Sequence, residues 1–294
     1  MISLSIIIVS FNTKEVTSRC LTSLKKNFKK YPLDYEVIVI DNGSKDSSLE
    51  MINKQTQNWR NLKVIDAKKN LGYGKANNLG LKVSKGKYIL YLNSDAIVTE
   101  INFQDLISFI ERDSKIGGLT VKVILQNGLI DPASHRGFPT PWASLTYFLG
   151  LEKLFGKVYL LNSLFGKYHL KDRNLKNIHE IDVPTGAFFL APRKLLNKIG
   201  GFDQDYFAYG EDIELAYQIK NFGFKIFYYP LYEVLHLKSI SGLKKVNSEI
   251  RKKTKFHFYD SMKIFYRKHY ENKYPWIFNK LIYLAIDLKA KFSK

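Results

Sequence analysis

Tyr88-Ile-Leu-Tyr-Leu-Asn93-Ser94-Asp95 is the stretch that decides the fold: five largely apolar residues run directly into three polar ones. A short apolar run bounded by polar residues is typical of a strand covered on both faces, as in a parallel sheet. In open α/β sheets the ligand lies outside the carboxyl ends of the strands, where Asn93 and Asp95 are expected. Oxygen-bearing side chains at i and i+2 can bind Mg²⁺, Mn²⁺ or a sugar hydroxyl. Taken alone, the tripeptide favours a polar turn that merely ends the strand.

The segments before this strand alternate between strands and helices. Strands are predicted at 4–11, 35–40 and 62–67, with helices ending near residues 29, 57 and 83. Such alternation predicts βαβ units and a mostly parallel sheet flanked by helices. Residues 1–100 are therefore expected to form a Rossmann-like half-domain.

The second part of the chain is less regular. A helix is predicted at 103–112, strands at 118–125 and 224–229, and a helix at 211–221. Residues 132–182 are rich in aromatic residues, glycine and lysine, which predicts a mobile loop or lid that carries specificity. No domain boundary is apparent before about residue 244.

Charge is the unusual feature of the composition. The 294 residues carry a formal charge of +19, and from Lys238 onward fifteen Lys and Arg face four Asp and Glu. This asymmetry indicates a polyanionic partner, either nucleic acid or the acidic face of a membrane. Because Cys20 is the single cysteine, an intramolecular disulfide is excluded and a cysteine-based zinc site is not indicated. The first residues lack signal-peptide features and no run reaches the roughly 18 apolar residues of a membrane span, so a cytoplasmic protein is expected.

Polar residues follow three of the predicted strands: Ser10 to Asn12, Asp41 with Asn42, and Asn93 to Asp95. Each of these polar segments, taken alone, could simply form the turn that ends its strand. Three polar ends along one carboxyl edge favour a nucleotide crevice, with Asp41 accepting a hydrogen bond from a base or ribose. By contrast, the loop 72–77 lacks the third glycine of a dinucleotide fingerprint and follows the third strand, which argues against NAD.

Three carboxylates occur in the first turn of the helix predicted at 211–221. Helix capping and compensation of the macrodipole usually explain acids at this position. Glu211 and Asp212 are adjacent, however, so one can cap the helix while the other faces a cleft as a general base. His236 follows an apolar strand and could bind a metal through a neutral imidazole, although a lone histidine is more often structural.

In order and spacing, the motifs resemble those of inverting family 2 glycosyltransferases of the GT-A fold, particularly bacterial rhamnosyltransferase-like members. The resemblance covers roughly residues 3–240 and rests on Ile-Ile-Val-Ser-Phe-Asn (7–12), Val-Ile-Asp-Asn-Gly-Ser (39–44), Asn-Leu-Gly-Tyr-Gly-Lys-Ala-Asn-Asn-Leu-Gly (70–80), Leu-Asn-Ser-Asp (92–95), Thr-Gly-Ala-Phe-Phe-Leu (185–190), Gly-Gly-Phe-Asp (200–203) and Gly-Glu-Asp-Ile-Glu-Leu (210–215). It implies a GT-A domain at 1–240, with a nucleotide-binding half at 1–100 and an acceptor-binding half at 101–240, followed by a basic amphipathic helical tail at 241–294.

The resemblance also implies roles for individual residues. Asp212 would be the general base, and Asp95 would bind a divalent metal, Mn²⁺ or Mg²⁺, with His236 as a further ligand. The donor, a nucleotide sugar such as dTDP-rhamnose or a UDP-hexose, would be bound by Ser10, Asn12, Asp41, Asn70, Gly72, Asn77, Asn93 and Ser94. The acceptor would contact Thr185, Gly186 and Glu211. Asn93 replaces the first Asp of the family's Asp-x-Asp motif and removes one negative charge, so metal binding is expected to depend more on the diphosphate.

The tail favours a membrane surface as the polyanionic partner. If residues 276–292 are helical, Ile277, Leu281, Leu284 and Leu288 share one face, and Trp276 suits the lipid interface. Packing of this face on the protein's own core is the competing interpretation, and no motif of a nucleic-acid reader supports nucleic acid. We therefore expect a peripheral enzyme at the inner face of the membrane, with a lipid-linked saccharide acceptor in surface polysaccharide synthesis. A Rossmann-type oxidoreductase and a non-catalytic basic binding protein remain as alternatives.

Overall fold

Nine strands and eleven α-helices make up the described part of the chain, which in this computed structural model comprises residues 2–156, 158–238 and 248–293. The predicted boundary between residues 240 and 241 lies outside the described residues. The strands are β1 (Leu4–Ser10), β2 (Tyr35–Asp41), β3 (Leu62–Asp66), β4 (Tyr88–Asn93), β5 (Ala96–Val98), β6 (Ile116–Leu125), β7 (His179–Ile181), β8 (Phe188–Pro192) and β9 (Lys225–His236). The helices are α1 (Lys14–Lys30), α2 (Ser48–Thr56), α3 (Tyr73–Val83), α4 (Phe103–Glu111), α5 (Pro141–Phe148), α6 (Leu151–Phe155), α7 (Tyr159–Phe165), α8 (Arg193–Ile199), α9 (Glu211–Asn221), α10 (Ser248–His269) and α11 (Trp276–Phe292).

All nine strands belong to one sheet, ordered β3-β2-β1-β4-β8-β6-β9-β5, with β7 paired to β9. The first four run parallel, as the βαβ pattern predicts. Beyond β4 the sheet is mixed, because β8 is antiparallel to β4 and to β6 while β6 and β9 are parallel. The α/β fold class is confirmed; the first half of the sheet is wholly parallel, and the second half combines the parallel pair β6–β9 with antiparallel pairs.

Both faces of the central strands are buried, because alternate side chains point to opposite layers. In β4, Leu90 and Leu92 belong to the core under α1, α2 and α4, whereas Ile89 and Tyr91 belong to the core under α3, α8 and α9. This double burial explains why β4 is an apolar run without polar alternation. It also leaves the carboxyl ends of the strands as the place where polar side chains meet.

The segment predicted as a mobile loop contains three short helices, α5 to α7. The sequence analysis predicted no helix in this segment, and the structure differs from it in these three helices. That the segment is mobile and carries specificity remains a prediction. Thr140 caps α5, since its hydroxyl accepts a hydrogen bond from the Ala143 amide at 3.1 Å, and Pro141 occupies the first turn. The Trp142 indole donates to the carbonyl of Leu164 at 2.9 Å and joins the first of these helices to the last.

Helix α10 packs on the main domain, and α11 packs on α10. His269 Nε2 lies 2.6 Å from Glu214 on α9, and Lys268 lies 2.6 Å from both Asp203 and Asp205. In the described part of the chain, no helix combines the length and the apolar character that crossing a bilayer requires.

Candidate functional site

The carboxyl edge of the parallel strands brings the predicted nucleotide-binding residues together. Ser10 pairs with Asp41 in the β1–β2 register, and Val9 pairs with Asn93 on the other side of β1. Oδ2 of Asp41 accepts the Ser44 amide at 3.0 Å, whereas the buried Oδ1 has no hydrogen-bond partner among the described residues. Buried polar atoms are rarely left unpaired, so Oδ1 of Asp41 is a position where a ligand or a water molecule would complete the hydrogen bonding of this edge.

Two of the residues that were predicted to bind the nucleotide sugar hold the loops around this edge. Asn12, with φ of 52°, accepts the Lys45 amide through Oδ1 at 2.7 Å and donates its own amide to Ser44 at 3.0 Å. Oδ1 of Asn70 accepts from the Asn42 side chain at 3.1 Å and from the Gly72 amide at 2.9 Å. Their observed contacts therefore position the loops, and direct contact with a nucleotide remains a prediction.

Gly72 starts a tight turn that brings α3 to the site. Its φ is 84°, and a Cβ atom at this position would lie 2.4 Å from the carbonyl oxygen of Phe207. Both the left-handed backbone and the close approach require glycine. Asn77 stabilises the same turn from within, because its buried Nδ2 donates to the carbonyl of Tyr73 at 3.0 Å. The residue that the turn places in the site is Tyr73.

Tyr73 connects the two sides of the site. Its hydroxyl lies 2.9 Å from Oδ1 of Asn93 and 3.1 Å from the carbonyl oxygen of Gly186. Burial raises the pKa of Tyr73, and nearby Glu211 raises it further, so the phenol stays protonated and serves as a donor. Next to Gly186, the buried Thr185 accepts the Ala187 amide through Oγ1 at 3.1 Å. Sequence reasoning missed Tyr73, although its position between Gly72 and Gly74 was a usable signal.

Asp95 and His236 meet because β5 pairs with the end of β9. Oδ1 of Asp95 lies 3.2 Å from Nε2 of His236, and Nδ1 of His236 lies 3.2 Å from Oδ2 of Asp131. Burial lowers the pKa of His236, but hydrogen bonds to Asp131 and Asp95 outweigh that effect and raise it to about 9. Nearby, Ser94 donates to the Thr13 hydroxyl at 3.3 Å. Asp131, which the sequence analysis did not single out, therefore orients the imidazole.

The 3.2 Å between Oδ1 of Asp95 and Nε2 of His236 is a hydrogen-bond distance, and the raised pKa of His236 keeps Nε2 protonated at neutral pH. A divalent ion held by this pair would take the place of the Nε2 proton. With its Nδ1 proton directed at Asp131, the imidazole would present Nε2 to the metal, an arrangement common around metal-bound histidine. No group of three or more His, Cys, Asp or Glu side chains arranged for a metal occurs in the described ranges. The remaining ligands would therefore have to come from the substrate, from water or from amide side chains such as Asn93.

The adjacent acids at the start of α9 occupy different environments. Arg136 donates to Oδ2 of Asp212 at 2.6 Å and to the carbonyl of Pro184 at 2.9 Å, so that the charge of Asp212 is compensated. Glu211 is buried, and its Oε2 has no hydrogen-bond partner among the described residues. Burial, together with the neighbouring Asp212, raises the pKa of Glu211 to about 8. Asp212 has an ion pair with Arg136 and Glu211 has none among the described residues, so the two acids are suited to different roles.

Comparison with known proteins identifies relatives. The family model described as glycosyl transferase family 2 matches residues 5–200. The rhamnosyltransferase WbbL of Escherichia coli (strain K12) is 26% identical over 241 residues, which are 79% of this chain and 82% of that protein. The poly(ribitol-phosphate) beta-glucosyltransferase of Bacillus spizizenii is 39% identical over 93 residues, which are 31% of this chain and 14% of that protein. The alignment thus spans a small part of that relative.

A solved structure supports the fold. The mannosyltransferase PcManGT from Pyrobaculum calidifontis, in complex with GDP-Man and Mn²⁺, aligns with a TM-score of 0.57 at 14% identity, covering 99% of this chain and 70% of that chain. At such low identity the match concerns the fold alone.

Proposed function

The chain belongs to glycosyl transferase family 2 and is a glycosyltransferase of the GT-A fold, and we propose that it transfers a hexose from a nucleotide sugar to a saccharide acceptor by a single inverting displacement. The observation that carries the proposal is the Tyr73 hydroxyl, which connects Asn93 on the donor side to Gly186 on the acceptor side. Family membership leaves no support for the oxidoreductase and the non-catalytic alternatives.

The donor would lie along the carboxyl edge of β1, β2 and β4. Ser10 lines this edge and the free Oδ1 of Asp41 would accept a hydrogen bond from the base or ribose. The Gly72 turn and Asn77 would keep Tyr73 in place beside the sugar. Rhamnose is our first candidate for the sugar, because the rhamnosyltransferase WbbL aligns along most of its length.

Asp95 and His236 would hold Mn²⁺ or Mg²⁺, with Asp131 orienting the histidine. The ion, when bound, neutralises charge on the departing diphosphate. Asn93 provides a neutral amide where a carboxylate would add negative charge. The carboxylates nearest to the proposed ion are therefore those of Asp95 and Asp131, on either side of His236. We therefore propose that metal affinity depends on the diphosphate.

Asp212 would accept the proton from the acceptor hydroxyl as that oxygen attacks the anomeric carbon. The bond to the acceptor oxygen forms while the bond to the diphosphate oxygen breaks, so the configuration inverts and no covalent enzyme intermediate is needed. Arg136 fixes the Asp212 carboxylate, and Glu211 with Thr185 and Gly186 would border the acceptor. A protonated Glu211 could donate a hydrogen bond to a sugar oxygen.

We further propose a lipid-linked saccharide as acceptor, in the synthesis of a surface polysaccharide at the inner face of the cell membrane. The basic tail supports this, since fifteen Lys and Arg against four Asp and Glu from Lys238 onward suit an anionic membrane surface. Nucleic acid is not proposed as a partner, because no reader motif accompanies the charge.

A thermal-shift panel tests the donor proposal. UDP, dTDP, GDP and NADH are each added with and without Mn²⁺, and a bound ligand raises the melting temperature by mass action. A shift with one nucleoside diphosphate that grows with Mn²⁺ is expected and identifies the base. A shift with NADH alone would contradict the proposal.

The Asp212→Asn variant tests the catalytic assignment. We expect loss of sugar transfer with the nucleotide-induced thermal shift retained, because the amide keeps the shape but cannot accept the proton. Asp172→Asn is the matched control, since Asp172 is an exposed acid that lies 3.7 Å from Nε of Arg173. Loss of nucleotide binding together with activity in Asp212→Asn would make this acid structural.

A further inference from the structure

Helix α11 leaves its apolar face uncovered. Ile277, Leu281, Leu284 and Leu288 lie on one side of the helix and are 46% to 57% exposed. The other side packs on α10, where the Tyr266 hydroxyl donates to Oδ1 of Asn279 at 2.6 Å. The interpretation that the apolar face covers the protein's own core is therefore wrong. An amphipathic helix that turns its apolar face outward needs another partner.

A second apolar surface is formed by α5 to α7. Its exposed side chains include Leu149 at 63%, Leu154 at 67% and Tyr159 at 87%. The only acid between residues 141 and 165 is Glu152, which is buried and lies 2.6 Å from Nδ1 of His169. This surface consequently presents leucine and tyrosine without an exposed carboxylate.

The two surfaces are neighbours. Nζ of Lys289 on α11 lies 5.4 Å from the ring centroid of Phe148 at the end of α5. We define the apolar platform as the exposed apolar side chains of α5 to α7 together with those of α11. The chain that enters the α5–α7 segment and the chain that leaves it meet beside Arg136, because the Gly137 amide donates to the carbonyl of Tyr168 at 2.9 Å. The base of the α5–α7 segment therefore lies beside the proposed acceptor side of the site, through Arg136 and Asp212.

We propose that the apolar platform docks on the surface of an anionic lipid bilayer, with α5 to α7 and α11 inserting together. The inference extends the membrane contact proposed above from the tail to a second segment of the main domain, and it places the acceptor side of the site at the membrane. It rests on the location part of the proposed function and does not depend on sugar transfer.

Charge favours lipid over a protein partner. Nζ of Lys280 lies 4.7 Å from the Trp276 ring and Nζ of Lys291 lies 5.9 Å from the Phe292 ring, so cations border the apolar stripe. Lysine beside aromatic residues suits an interface of acyl chains and anionic headgroups. Some tail cations are already paired inside the protein, such as Lys263 with Asp287 at 2.5 Å. The exposed Arg251, Lys252 and Lys253 on α10 add further positive charge.

Co-sedimentation with vesicles tests the platform, using phosphatidylcholine alone and phosphatidylcholine mixed with phosphatidylglycerol. The full chain is expected to bind the mixed vesicles more tightly. Leu281→Ser/Leu284→Ser on α11 and Leu149→Ser/Leu154→Ser on the α5–α7 segment should each weaken that binding at least tenfold. The matched control is Leu129→Ser/Leu231→Ser, which changes two leucines that are 64% and 66% exposed outside the platform.

Each outcome separates the possibilities. Equal binding by the control and by both platform variants would overturn the proposal, and an effect of the α11 variant alone would limit docking to the tail. Dimers in light scattering that the platform variants dissociate, without vesicle binding, would replace lipid by a second copy of the chain. Because all these side chains are exposed, thermal unfolding and the nucleotide-induced shift should stay unchanged. Loss of the nucleotide-induced shift in these variants would instead indicate damage to the proposed nucleotide-binding site.

Discussion

Arg136 donates a 2.6 Å hydrogen bond to Oδ2 of Asp212, joining a loop before α5 to the first turn of α9. Both side chains are largely buried. The guanidinium fixes one carboxylate of an adjacent pair, whereas Oε2 of Glu211 has no hydrogen-bond partner among the described residues. The structure thus separates two acids that the sequence presents as equivalent neighbours.

Arg136→Met should reduce both stability and activity. Removing one partner of a buried ion pair leaves an uncompensated charge, so we expect a loss of about 3 kcal/mol in the free energy of unfolding. Misorientation of the Asp212 carboxylate should lower kcat roughly 100-fold. Urea unfolding and sugar-transfer kinetics measure these effects. The control Lys87→Met breaks the exposed pair with Glu111 at 2.5 Å and should cost less than about 1 kcal/mol. Equal losses in the two variants would contradict a special role of Arg136.

Tyr73→Phe should lower activity at small cost in stability. The ring keeps its edge contact with Phe202, at 5.9 Å between centroids, while the hydrogen bonds to Asn93 and Gly186 disappear. We expect about 1 kcal/mol less stability and about tenfold lower kcat/KM, with nucleotide affinity retained.

Tyr91→Phe is the comparison for this prediction, because the Tyr91 hydroxyl is buried and has no hydrogen-bond partner among the described residues. Its removal should leave stability unchanged or raise it. Full activity in Tyr73→Phe would show that the bridge between the two sides of the site is dispensable.

Glu211 should make stability depend on pH. Burial and the nearby Asp212 raise its pKa from 4.5 to about 8, so the folded protein binds the proton more tightly than the unfolded chain does. The resulting stabilisation is complete below pH 4.5 and is lost as pH rises towards 8. Over this range the free energy of unfolding should fall in both proteins by different amounts. The fall in Glu211→Gln should be smaller than that in the unaltered protein by at least about 2 kcal/mol. Urea unfolding of both proteins between pH 5 and 8.5 measures the difference, and parallel curves would refute the assignment.

Asp131→Asn should weaken metal binding without removing a proposed ligand. Asp131 contacts Nδ1 of His236 at 3.2 Å and would orient the imidazole towards the ion. Loss of such a partner typically lowers metal affinity about 10- to 100-fold. The midpoint of a Mn²⁺ titration, followed by thermal shift with the nucleoside diphosphate present, reports the effect. Lys238→Met removes the other charged partner of Asp131, at 3.0 Å, and should shift the midpoint less.

Much of the fold could be predicted from the sequence, because local patterns encode it. The apolar run that ends at Asn93 and the alternation of strands and helices determined the parallel half of the sheet. The same patterns placed Ser10, Asp41 and Asn93 on one edge, since parallel strands that follow right-handed crossovers end on the same side. The start of α9 at Glu211 could also be predicted from the sequence, because acids concentrate in the first turn of a helix.

The helices α5 to α7 were missed for a different reason. Many of their apolar residues are exposed and lack the periodicity that burial against one core imposes, so composition alone suggested a loop. The orientation of α11 was equally open, because an amphipathic pattern identifies an apolar face but not what covers it.

The pairings that give the site its chemistry were decided by the tertiary structure alone. His236 reaches Asp95 because β9 pairs with β5, Asp131 lies behind that histidine, and Arg136 selects Asp212 over Glu211. These contacts join residues that are far apart in the chain, and their energies depend on burial and on distances of a few ångströms. The sequence by itself determined which residue types stand at the strand ends; only the packing of the second half of the chain against them decided which side chains share a hydrogen bond or an ion pair.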